Sequence, residues 1–388
     1  MKKFCVFTIL IITFILLNTI DFNNVKAQTN NSFDESINEI LDGIDENIYL
    51  EINDVLNGFF NDNLSFKDRI VKFLTGEANI DVTSLKDFVF YRFKTLFNKI
   101  IKVLCYLLFI GIISTILNII LSKNSDNIEN STIFYIFYIL AITSTATLIS
   151  EFVYSTKNTI IEFSKNTEIL FPLMFSISSL CGNFGVALYK PLTCFVSYFS
   201  SVISRNYLLP LLIFGAIMMV LGNLSQNVKI SGLSKTVFSF YKWCIGIICV
   251  VYTVIIGIQG IVNASYNGVS VKILKYATGS IIPIVGGFLS GGIDVMLSSA
   301  ILIKNSIGLI SVIYLLITIG GSAISYIFTS FIIKFGASIC EPILDKRFYN
   351  FLIGIGDVIN YLASIIFLCG FMYFITVIGF IFSTISVI

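Results

Sequence analysis

Asp294 and Lys304 place an acid and an ammonium group ten residues apart inside an apolar stretch, with Asn305 directly after the lysine. Ten to eleven residues is close to three helical turns, so the three side chains fall along one helix face. Charges at membrane depth are costly and usually face a bundle interior or water, where they bind ions or line a path. Arg205-Asn206 closes an earlier apolar stretch in the same way, and Lys190, Gln259 and Asp357 are further polar groups in apolar surroundings. Each has a plainer reading that stays open. Arg205 and Lys304 reach a head-group interface by snorkelling, or Asp294, beside Gly291 and Gly292, caps a helix by accepting from terminal N–H groups.

Other chemistries find little support. The chain has no His, the commonest general base and metal ligand. Its eight cysteines lie within or beside apolar stretches and form no CxxC, so they read as small hydrophobes. No phosphate-binding GxxxxGK[ST] occurs, and no nucleophile has a positioned base. No catalytic residue, metal or cofactor is expected, and no Lys/Arg cluster resembles a nucleic-acid footprint.

The elements that must position these groups follow from composition. Of 388 residues, 56% are hydrophobic and 12% charged, with a mean hydropathy of +0.90. A soluble domain carries about 25% charged residues, so lipid must serve as part of the solvent. Residues 28–99 hold thirteen acidic and seven basic side chains, and residues 100–388 hold nine and fifteen. The net charge of +2 therefore joins an acidic front to a mildly basic membrane body. Residues 1–27 carry Lys2, Lys3, an apolar run from Phe4 to Leu17 and Val25-Lys26-Ala27, a signal peptide, either cleaved or retained as an anchor. Either version puts residue 28 onward outside the cytoplasm. Residues 28–99 read as a small helical extracytoplasmic segment, with Ile37, Ile40, Leu41, Ile44 and Ile48 forming one apolar stripe. With about 70 residues its own core is marginal, so docking on the membrane domain or a partner is expected.

The rest, 100–388, reads as an all-α polytopic membrane domain. Spanning segments fall at about 100–121, 132–153, 206–223, 243–262, 306–330 and 358–385. Between them lie two interrupted helical hairpins at about 168–204 and 276–305, re-entrant or fully spanning. Each has a proline near its start, Pro172 or Pro283, and a turn about ten residues on, at Cys181-Gly182-Asn183 or Ser290-Gly291-Gly292. With 28–99 outside, 224–242 falls inside carrying Lys229, Lys235 and Lys242, as does 331–350 with Lys334, Lys346 and Arg347. Two tandem units, roughly 165–262 and 276–385, are inferred. Paired interrupted segments of this kind point to a transport path in repeat-built transporters.

Between Gln259 and Ile310 stand Thr278-Gly279, Ile282-Pro283, Asp294, Ser299-Ala300 and Lys304-Asn305, and Phe73-Leu74-Thr75-Gly76 occurs in the front segment. With the signal peptide and the number of spans, these residues resemble the stage III sporulation protein AE family of endospore-forming bacteria. The resemblance implies a place in the mother-cell membrane around the forespore. It also implies a place in the channel apparatus encoded by the stage III A operon, whose other products would be partners. That apparatus meets the forespore protein SpoIIQ across the intermembrane space. The resemblance supplies no substrate and no catalytic residue. The expected function is thus the transport-like core of that channel. The alternatives are an autonomous secondary transporter of a small solute, and a non-conducting membrane anchor.

Overall fold

In lipid every backbone N–H and C=O must be satisfied inside the protein, and a helix does so within a single segment. The computed structural model describes residues 50, 53, 54, 56, 57, 63–75, 82–121, 127–180, 184–224, 231–281 and 286–382. Among these the chain is helical apart from short turns, with no strand. The signal peptide and the stripe at 37–48 lie outside the described residues.

A short helix α1 (Phe66–Thr75) precedes α2 (Val82–Leu121) and α3 (Asn127–Leu180). Then α4 (Phe184–Ile203) runs through a π-helical turn π1 (Ser204–Leu208) into α5 (Leu209–Leu224). The long helix α6 (Ser231–Ile281) is followed by α7 (Gly286–Leu315), which passes through π2 (Leu316–Gly320) into α8 (Gly321–Ile339); α9 (Lys346–Phe382) comes last. Among the described residues six helical stretches are long and apolar enough to cross a membrane, which makes this an all-α polytopic membrane protein.

The helices are longer than the expected spans. The stretch at 154–167, expected as a loop, continues α3 without a break, and Pro172 lies inside that helix. The turn expected at Ser290-Gly291-Gly292 is helical backbone within α7; the preceding helix instead ends at Ile281. Glycine costs only about 1 kcal/mol in a helix, so α7 runs through both glycine pairs. Cys181, Gly182, Asn183 and Pro283 lie outside the described residues; α3 ends at Leu180 and α4 begins at Phe184.

Helix α9 is the axis, packed against α3, α5, α6, α7 and α8. It starts at Asp345, whose Oδ1 accepts from the Arg347 N–H at 2.8 Å, while Thr115 Oγ1 of α2 accepts from the Asp345 N–H at 3.0 Å. Helix α3 runs parallel to it. Arg347 lies 3.6 Å over the Phe134 ring, Tyr138 meets Phe351, Phe163 meets Tyr373, and Phe175 meets Phe380. The α2–α3, α5–α6 and α8–α9 connections therefore share one end of the bundle. On α1, Phe66, Ile70 and Leu74 recur every fourth residue, are buried and lie against α7.

At 1.5 Å per residue, Lys102 and Arg205 stand nineteen residues, about 29 Å, from that connected end. Glu151 stands seventeen residues beyond Phe134, about 26 Å. All three are exposed. Their common height matches the roughly 30 Å of a hydrocarbon layer, and the bundle continues beyond it.

Candidate functional site

Lys304 does not reach a surface. It is 0% exposed, and its Nζ donates to Phe380 O at 2.7 Å and Ile381 O at 3.3 Å. The last four carbonyls of a helix have no partner of their own, and a cation at that end also meets the negative pole of the helix dipole. Lys304 thus closes the C-terminal end of α9. Beside it, the Asn305 Oδ1 is buried without a hydrogen-bond partner.

Arg205 and Asn206 lie exposed in π1, with Arg205 Nε donating to Asn206 Oδ1 at 3.3 Å. Pro172 is partly buried in α3, and its carbonyl accepts from Ser176 Oγ at 2.8 Å. Gly291, Gly292 and Asp294 belong to α7, but their side chains lie outside the described set. Asp357 pairs with Lys334 at 2.6 Å across the α8–α9 contact, the two side chains 45% and 26% exposed. Gly356 makes that approach possible: a Cβ there would meet Lys334 Cγ at 2.7 Å and the Ser330 carbonyl at 3.2 Å. The described sequence candidates are therefore dispersed along the bundle, not gathered at one place.

A polar cluster that the sequence pattern did not single out lies where α3, π2 and α9 meet. Thr159, Glu162, Phe163 and Asn166 of α3, Tyr314, Leu315, Thr318 and Ile319 before or within π2, and Tyr373 of α9 line a small, mostly apolar cleft with room for about one water molecule. Asn166 Nδ2 donates to the Tyr314 hydroxyl at 2.5 Å. Thr159 donates to Ser155 O at 3.0 Å and Thr318 to Tyr314 O at 2.9 Å. Tyr373 is 2% exposed, bordered by Phe163 and Phe171, with its hydroxyl beside Ser311. Glu162 is exposed at the cleft and makes no ion pair among the described residues. A π-turn disturbs the regular backbone ladder and frequently marks a functional site. Thr318 lies about 32 Å and Tyr373 about 40 Å along their helices from the connected end, at or beyond the height of Lys102 and Arg205.

Thr156, Thr159, Phe163, Asn166 and Thr167 are all buried at helical spacing. That three-to-four-residue stripe was the available signal for the site.

Among known proteins, the model of the family described as stage III sporulation protein AE matches residues 64–384. A curated relative, "Stage III sporulation protein AE" of Bacillus subtilis (strain 168), is 23% identical over 208 residues, covering 53% of this chain. The chain spans about half the length of that relative, 52%. No solved structure matches. With the matched region running from α1 to the end of α9, this sporulation-related multi-pass membrane chain belongs to the stage III sporulation protein AE family.

Proposed function

We propose that the chain is the polytopic, transport-like core of the channel apparatus between mother cell and forespore. It sits in the mother-cell membrane with its N-terminal segment outside the cytoplasm. The other stage III A operon products are its partners, and through them SpoIIQ. The observation that carries the reading, beyond family membership, is the cleft between α3, π2 and α9. Asn166, Thr159 and Thr318 bring hydrogen-bonded amide and hydroxyl groups to its wall, and Glu162 adds an exposed carboxylate. In the proposed orientation the cleft opens at the extracytoplasmic edge, toward the space where the apparatus assembles. An autonomous secondary transporter would instead hold its site near the bilayer midplane. The anchor reading draws on Lys304, whose contacts with α9 are those of a structural cap.

The test is complementation of a strain lacking the protein by Asn166→Leu, Thr318→Val and Asp294→Asn variants. Late forespore gene expression is read alongside membrane abundance. Loss of expression at normal abundance is expected for Asn166→Leu or Thr318→Val. Full expression for both leaves only an anchoring role. Loss confined to Asp294→Asn would move the working site to the first turns of α7.

A further inference from the structure

We propose that the face of α9 between α6 and α8 is a groove, inside the membrane, that docks a transmembrane helix of another protein carrying one carboxylate. The groove lies apart from the cleft between α3, π2 and α9 and does not depend on what that cleft does. Helices α6 and α8 both pack on α9, but among the described residues they hardly meet each other. Between them α9 presents Asp357, Asn360, Tyr361 and Ser364, partly exposed at the three- and four-residue spacing of one helix face. Lys334 of α8 borders the groove on one side, its Nζ 2.6 Å from Asp357 Oδ1. Lys242 of α6 borders it on the other, its ammonium 4.8 Å over the Tyr361 ring. The neighbouring Tyr241 hydroxyl donates to Tyr361 O at 2.6 Å and fixes the level at which α6 meets α9.

The sequence reading put both lysines in inside loops; they stand within α6 and α8 instead. Lys242 and Asp357 each lie eleven residues, about 17 Å, from the connected end, and Tyr361 about 23 Å. Exposed Phe240 and Trp243 adjoin Lys242 on α6, and exposed Phe331 and Phe335 adjoin Lys334 on α8. Lipid therefore borders the groove on both sides. Charges at such depth are costly and usually face a bundle interior or water. Snorkelling does not relieve Lys242, because its ammonium is held over Tyr361, farther from the near head groups than its own backbone.

Charge selects the occupant. Asp357 neutralises Lys334, while Lys242 has no carboxylate partner among the described residues. A lone charge in apolar surroundings is strongly unfavourable, and an opposite charge relieves it. A second copy of this chain would bring the same positive surplus to the groove. A helix with a single acidic side chain at this depth cancels it. Asn360 and Ser364 add amide and hydroxyl groups of the kind that join transmembrane helices.

The probe is a synthetic transmembrane helix of Leu and Ala with one central Glu and a dansyl label, beside an identical helix with Gln. The purified full-length protein, in liposomes of zwitterionic lipid, is titrated with each. Energy transfer from Trp243, the one tryptophan of the chain, reports binding. Saturable transfer is expected with the Glu helix, half-saturating at a concentration at least tenfold below that of the Gln helix. Lys242→Met should remove most of this preference and Lys242→Arg should keep it. Lys242→Glu should pass the preference to a helix with a central Lys, and it carries the test if Lys242→Met fails to fold. Equal binding of the Glu and Gln helices overturns the proposal, as does a preference unchanged in Lys242→Met. Quenching of Trp243 by brominated lipid adds a second readout. Protection by the Glu helix supports the proposal. Protection by added copies of the protein and not by the Glu helix makes the groove a self-association face, and quenching that neither relieves makes it a lipid-facing surface; both results overturn the proposal.

Discussion

Replacing Lys304 with Met separates a structural cap from a path-lining charge. Methionine keeps the length and apolar bulk of the lysine stem, so packing against α9 is largely preserved. What goes is the ammonium that donates to Phe380 O at 2.7 Å and Ile381 O at 3.3 Å. A buried acceptor left unpaired costs about 1–3 kcal/mol, so two orphaned carbonyls set an upper range of about 2–6 kcal/mol. Two effects lower it. The last turn of α9 can fray to reach water, and the variant no longer buries an ammonium, whose desolvation itself opposes folding. A net loss of about 2–4 kcal/mol is expected, a large share of a typical stability of about 5–15 kcal/mol. Membrane abundance should therefore fall, and amide exchange should rise in residues 376–382 of α9 before it rises elsewhere. Unchanged abundance and unchanged exchange would refute the capping argument. If forespore expression were lost at the same time, Lys304 would return to the path.

The ion pair of Lys334 and Asp357 yields a sign test. Asp357→Asn alone should lower the unfolding midpoint more than the double change Lys334→Met with Asp357→Asn, because the single change strands an unpaired ammonium among apolar helices; a double variant less stable than the single one contradicts this. At Gly356, substitution by Leu forces atoms into Lys334 and the Ser330 carbonyl. Overpacking of this kind costs about 1–3 kcal/mol, read as a lower midpoint, and an unchanged midpoint would mean that α8 and α9 separate easily. In a cysteine-free background, single cysteines at positions 60 and 232 should label from opposite sides of the membrane, and same-side labelling overturns the orientation.

The helical class and the six apolar stretches were legible because periodicity and hydropathy are local properties. The first interruption, at Cys181-Gly182-Asn183, lies outside the described residues. The second was misplaced because paired glycines looked like breakers, whereas glycine costs only about 1 kcal/mol inside a helix. The stretch at 154–167 read as a loop because Lys157, Glu162 and Lys165 dominate its average. Those charges lie exposed on one face of α3, while Thr156, Thr159, Phe163, Asn166 and Thr167 are buried on the other. Averaging over a window erased the face that matters. The partners of Lys304 and Asn166 lie 76 and 148 residues away in sequence, beyond any local pattern.

The same averaging hides which solvent an apolar residue answers to. Helix α6 exposes Leu233, Trp243, Val250 and Ile258 along its length, as a helix facing lipid does. Helices α7 to α9 are equally apolar, yet more than half of their candidate-span residues are buried inside the protein. Their apolar runs outlast the bilayer: Phe380 lies 34 residues into α9, about 51 Å from the connected end, against a hydrocarbon layer of roughly 30 Å. Lys304, 35 residues before the end of α8, stands at the same height. Hydropathy placed that lysine at membrane depth because it counts burial in protein and burial in lipid alike. The structure separates the two, and Lys304 belongs to a protein-lined core that rises past the membrane.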